Sequence, residues 1–152
     1  MKYNNQPSKK YKSKLEHYCA KKLTEAQIPF EYESVTYTLV PSFHYTNVSY
    51  ETYTKKRKKV YEQQRPFVRP VTYTPDFIGD GWIIETKGYE TSDFKIKWKM
   101  FKLMLLNTNS KIKIYKPTSP KQIDETISLI LKTTNHVGYK NKRSRNKRAR
   151  AS

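Results

Sequence analysis

The chain is short of several things that would have placed it elsewhere. It has one cysteine, Cys19, so no intrachain disulfide can form and a reducing compartment is expected. No apolar run approaches membrane-spanning length, and Met1-Lys2-Tyr3-Asn4-Asn5 lacks the apolar core of a signal peptide. No amphipathic basic helix offers itself to an anionic membrane surface. The three histidines, His17, His44 and His136, show no metal-ligand spacing. No internal repeat is present. Acids are scarce too: 13 Asp and Glu face 31 Lys and Arg, a net charge of +18 on 152 residues.

What is abundant is clustered positive charge. Lys55, Lys56, Arg57, Lys58 and Lys59 form one acid-free run. Residues 139–152 form another, which includes Arg143, Arg145, Lys147 and Arg148. A field of this sign and size attracts polyanions and speeds their arrival, so nucleic acid is the expected partner. Lys95, Lys97 and Lys99 add a third candidate contact on a predicted helix.

Length allows one domain. Residues 1–12 read as a flexible basic arm, 13–133 as the folded unit and 134–152 as a disordered basic tail. Ser13-Lys14-Leu15-Glu16 has capping-box spacing, and Leu15, Tyr18, Cys19, Leu23 and Ala26 then follow on one helical face. Phe30 to Val40 reads as a strand. Residues 41–70 hold three prolines and the basic run, and predict a hairpin-like extension or a mobile arm. Val71 to Gly88 predicts a hairpin about Gly79-Asp80-Gly81. Ser92 is a predicted cap for a helix over roughly 93–106, with Phe94, Trp98, Phe101 and Leu105 as its core stripe. Lys111 to Lys116 alternates as a strand. Ser119-Pro120-Lys121-Gln122 opens a last helix, buried through Ile123, Ile127, Ile130 and Leu131. The order α-β-β-β-α-β-α makes an α/β fold, a small mixed sheet covered by helices.

The chemistry is concentrated in the hairpin. Asp76 follows Pro75 on the first strand, and Glu85 and Lys87 stand two residues apart on the second, on one face. Two hard oxygen ligands suit Mg²⁺, and an adjacent lysine can polarise water or stabilise a developing anion. These are the parts of metal-assisted phosphodiester hydrolysis. Each residue also has a plainer role available: a turn cap for Asp76, an exposed ion pair for Glu85 with Lys87, and a capping box for Glu16.

Taken together, Lys14-Leu15-Glu16, Ile28-Pro29-Phe30-Glu31-Tyr32-Glu33, Tyr73-Thr74-Pro75-Asp76-Phe77 and Ile84-Glu85-Thr86-Lys87-Gly88, followed by Ser92-Asp93, resemble the PD-(D/E)xK nuclease superfamily. Within it they are most similar to the bacteriophage endonuclease I family of Holliday-junction resolvases. The resemblance covers residues 13 to about 115. It implies a restriction-endonuclease-like core and an Mg²⁺-dependent endonuclease acting on four-way DNA junctions, with Mn²⁺ as a substitute. It also implies metal ligation by Asp76 and Glu85, assistance by Lys87, and completion of the site by Glu16 and by Glu31, with Glu33 open as the alternative to Glu31. A homodimer, domain-swapped through a bridge within 41–70, and a phage protein working in the cytoplasm of a bacterial host complete these expectations. A nicking or processing nuclease without junction preference, and a non-catalytic basic packaging protein, are the competing expectations.

Overall fold

Ser13 starts the first helix as its spacing predicts. Its hydroxyl accepts the Glu16 N–H at 3.1 Å and caps α1 (Lys14–Glu25). The capping box is only half formed, because the Glu16 carboxylate accepts instead from the Lys12 N–H at 2.8 Å. The computed structural model describes residues 10–133. The tail expected at 134–152 and most of the arm expected at 1–12 lie outside these residues. The last part of that arm is docked: Tyr11 packs edge-on against Tyr32, with ring centroids 4.9 Å apart.

The strand expected over 30–40 is two strands. β1 (Glu31–Tyr32) ends where Glu33 takes a left-handed φ of 45°, and the chain resumes as β2 (Tyr37–Val40) in a different sheet. From there an antiparallel ribbon runs out and back. β3 (Phe43–His44), β4 (Tyr50–Lys55), β5 (Lys58–Gln63), β6 (Phe67–Val68) and β7 (Val71–Tyr73) pair as β2–β7, β3–β6 and β4–β5. Backbone bonds from Tyr45 to Pro66 and from Gln64 to Ser49 bridge the irregular stretches. Of the two forms expected for 41–70, the structure has the hairpin-like extension, and the basic run crosses its tip.

The chain returns as β8 (Phe77–Gly79), turns at Asp80-Gly81 and continues as β9 (Trp82–Ile84). Gly79 is required there, because a Cβ would lie 2.1 Å from the Trp82 ring. α2 (Ser92–Asn107) follows. Its cap is Thr91, not Ser92: Thr91 is extended and its hydroxyl accepts the Phe94 N–H at 3.2 Å. The two neighbours carry equivalent cap chemistry, and the frame that buries Phe94 selects Thr91. β10 (Lys113–Tyr115) then runs parallel to β9, giving the four-stranded order β1-β8-β9-β10. α3 (120–133) completes the described chain, with Ser119 accepting the Gln122 N–H.

Alternation along β9 divides the core into two layers. Trp82 and Ile84 join Cys19, Ala20 and Leu23 of α1 and Ile123, Ile127 and Ile130 of α3. Ile83 faces the other way, onto Tyr73 and the Phe94, Trp98, Phe101 and Leu105 stripe of α2. Leu131, expected in the core, lies at the rim and is 37% exposed. The result is a mixed α/β fold of small sheets and three helices.

Candidate active site

The hairpin register sets the site. Phe77 pairs with Ile84, so Asp76 and Glu85 flank that pair at one end of β8–β9, on the sheet face of Ile78 and Ile83. Both carboxylates are buried, at 9% and 4% exposure. The backbone ladder continues beyond β9: the Glu85 N–H donates to Tyr115 and the Lys87 N–H to Pro117. Alternation therefore holds through Lys87, whose Nζ comes 3.4 Å from Glu85 Oε1. The same ammonium sits 4.3 Å from the centroid of Phe94, over its ring.

Two residues not anticipated as site residues orient these acids. Thr86, between Glu85 and Lys87, donates its N–H and its hydroxyl to Asp76 Oδ2, each at 2.7 Å. Tyr73 donates its hydroxyl to Glu85 Oε2 at 2.7 Å from the apolar cluster beneath. No buried side-chain nitrogen or oxygen is left without a partner among the described residues. Asp76 Oδ1 takes no part in these bonds. Tyr73 was legible only as a sheet aromatic, and Thr86 only as the unspecified middle of Glu-x-Lys.

Glu16 comes to the same region from α1. It is buried, and its Oε2 accepts from Tyr32 at 2.6 Å as well as from Lys12. Its charge is among the causes that raise the Asp76 pKa, after burial, while the Thr86 bonds and Lys87 oppose the rise. Glu85 is pushed up to about 7, by burial first and then by Asp76, against the bonds from Tyr73 and Lys87. Burial pushes the Cys19 thiol up to about 12, with Asp76 adding to the rise. Cys19 is thus a neutral core thiol.

The second acidic position separates Glu31 from Glu33. Glu31 is exposed, in a shallow depression with Pro29, Phe30, Ile78 and Asp80. The left-handed turn at Glu33 breaks the shared strand face expected for the two, and Glu33 pairs with Lys12, the residue whose N–H binds Glu16. The structure thus brings Asp76, Glu85 and Lys87 together; Glu16 acts on Asp76 through its charge, Glu33 stands at the margin, and Glu31, beside Ile78, is exposed. Of the basic candidates, Lys55 to Lys59 are exposed at the ribbon tip. Lys95 and Lys99 are exposed on α2, and Lys97 is half-buried. Arg143, Arg145, Lys147 and Arg148 lie outside the described residues.

Among the described residues, no group of three or more His, Cys, Asp or Glu is placed to hold a metal ion. Mg²⁺ does not require one. One or two carboxylates with waters and phosphate oxygens commonly suffice, and Asp76 and Glu85 are two mutually repelling carboxylates whose chemistry would fit such an ion. No helix among the described residues is long and apolar enough to cross a membrane. No family model, curated protein or solved structure matches the chain.

Proposed function

We propose that this chain is a metal-dependent, structure-selective DNA endonuclease of the PD-(D/E)xK kind that resolves four-way junctions and other branched DNA. The observation that carries this reading is the Asp76, Glu85 and Lys87 constellation at one buried end of a hairpin, inside a chain of charge +18. Outside the ribbon, the element order is α-β-β-β-α-β-α, which is compatible with a restriction-endonuclease-like core. Preference for junctions, a phage origin, work in a bacterial cytoplasm and a homodimer swapped through 41–70 rest on the motif resemblance alone.

Asp76 and Glu85 would hold Mg²⁺, or Mn²⁺ in its place. Such an ion supplies positive charge against the phosphate as charge develops on it. Thr86 fixes Asp76 through Oδ2, and Tyr73 fixes Glu85 through Oε2. Lys87 places an ammonium where it can orient water and oppose the charge of the attacked phosphate. Water adds to phosphorus in line, the bond to the 3′ oxygen breaks, and that oxygen leaves with a proton. The products are a 5′-phosphate and a 3′-hydroxyl.

Cleavage of a four-way junction in Mg²⁺ and in Ca²⁺, by the wild type and by Asp76→Asn and Lys87→Ala, tests the reading. Cutting in Mg²⁺ alone, lost in both variants, is expected; full activity of either variant removes that residue from the mechanism. Equal binding of junction and linear duplex at raised salt would favour a nuclease without junction preference. A non-catalytic nucleic-acid-binding protein is the second reading, favoured by the separation of the ribbon-tip cations from the carboxylates. Salt-sensitive binding with no metal-dependent cleavage would select it.

A further inference from the structure

The outer ribbon has two unlike faces. Register pairs Tyr50 with Gln63, Thr52 with Tyr61 and Thr54 with Lys59, which puts these six residues on one side. That side has no acid. It presents hydroxyls, an amide, an ammonium and two rings, Tyr50 at 56% and Tyr61 at 69% exposure, with centroids 5.8 Å apart. The other side carries both acids of β4 and β5, Glu51 and Glu62, with Tyr53 and Val60 between them and the tip. Lys55 pairs with Glu62 on that side at 3.5 Å. None of residues 41–70 joins either apolar cluster of the body, and only Tyr53, Val60 and Glu62 of the second side are half-buried, so the acid-free side is the one left open.

The turn adds an independent sign. Lys56 and Arg57 close the ribbon with φ of 49° and 65°, the pattern of a type I′ turn. That turn favours Asn-Gly, and each L residue with a bulky side chain held left-handed costs about 1 kcal/mol or more. Two long cations occupy the pair of positions where they fit worst, at the point farthest along the ribbon. Backbone strain of this kind clusters at functional sites.

We propose that the β4–β5 ribbon is a groove-reading finger. Its acid-free face lies in the major groove of a DNA duplex, with Lys56 and Arg57 on the flanking phosphates. A two-stranded ribbon fits that groove, about 12 Å wide, and hydroxyl and amide side chains reach base edges there. Glu51 and Glu62 then face away from the phosphates. The proposal rests on the DNA-binding part of the reading above and is independent of the cleavage chemistry.

The test is binding without metal, in EDTA, to a linear duplex. Lys56→Asn with Arg57→Gly installs the turn's preferred residues and removes two cations. The variant should melt no lower than the wild type and bind duplex several-fold more weakly. Its slope of log affinity against log salt should fall by about 2, one unit for each phosphate no longer neutralised. Tyr61→Ser should also weaken binding. A duplex with bulky groups on pyrimidine C5, which project into the major groove, should bind the wild type less well. A-form RNA, whose major groove is narrow and deep, should show no dependence on Tyr61. An unchanged salt slope, or equal loss on RNA, overturns the proposal, as does a change of oligomeric state in place of DNA binding. The ribbon variants leave Asp76, Glu85 and Lys87 in place and binding in EDTA needs no cleavage, so loss of cleavage and loss of groove binding are read separately.

Discussion

Thr86 donates its backbone N–H and its side-chain hydroxyl to a single oxygen of Asp76, both at 2.7 Å, and so holds that carboxylate through Oδ2 while Oδ1 stays out of both bonds. Thr86→Val keeps the amide bond and the shape but removes the hydroxyl. The expected cost is about 1 kcal/mol of stability, and cleavage should fall about tenfold because the carboxylate is then held by one bond instead of two. Thr86→Ser should recover most of both. Thermal melts and single-turnover cleavage on a junction measure the two effects, and full activity in the valine variant would assign Thr86 to the fold alone.

Glu85 makes stability depend on pH without any metal. Its folded pKa of about 7 lies above the ordinary carboxylate value of 4.5, so over that interval the folded chain holds more protons than the unfolded one. Stability must then fall as pH rises from about 4.5 through about 7 and level off above it. The raised Asp76 adds a decline of the same sign, beginning at lower pH. Glu85→Gln should remove most of this slope and raise stability at pH 8 by roughly 1–3 kcal/mol. Melting curves between pH 4 and pH 9 in EDTA check this; a wild-type curve that rises over the interval would contradict the assignment.

The helices and the hairpin were legible because each rests on local signals. Phe94, Trp98, Phe101 and Leu105 keep one 3.6-residue stripe, and Pro75-Asp76 and Glu85-Thr86-Lys87 flank a short Gly-Asp-Gly turn. Tertiary register hid the rest. Nothing near Glu33 in sequence announces its left-handed turn, so Glu31 and Glu33 appeared interchangeable. Tyr73 became a partner of Glu85 only when the ribbon base folded over β9. The ribbon itself gave a weak signal, since one side of its strands is exposed, the other is at most half-buried, and no alternation of apolar residues marks them.

Divalent ions should reverse the Glu85 effect. A cation between Asp76 and Glu85 removes their repulsion, so Mg²⁺ should raise the melting temperature at pH 8, more as its concentration exceeds the dissociation constant. Ca²⁺ should stabilise as well while supporting little cleavage, because its looser geometry places water poorly. Asp76→Asn should lose both responses. Equal stabilisation of that variant by Mg²⁺ would mean that the ion binds elsewhere.

Tyr73→Phe separates orientation of Glu85 from packing. The ring lies 4.8 Å from Phe101 and 6.2 Å from Trp98, and phenylalanine keeps those contacts. What it loses is the hydroxyl donor to Glu85 Oε2, one of the bonds that hold the Glu85 pKa down against burial and Asp76. The pKa should therefore rise further, by about half a unit to one unit. In EDTA, the fall of stability with pH should then extend to higher pH than in the wild type. In Mg²⁺, the acid limb of the cleavage profile should move up by a similar amount, since Glu85 must lose its proton before it can hold the ion. A purely structural role for Tyr73 predicts lower stability at every pH with the limb unmoved, and that outcome would detach Tyr73 from the site.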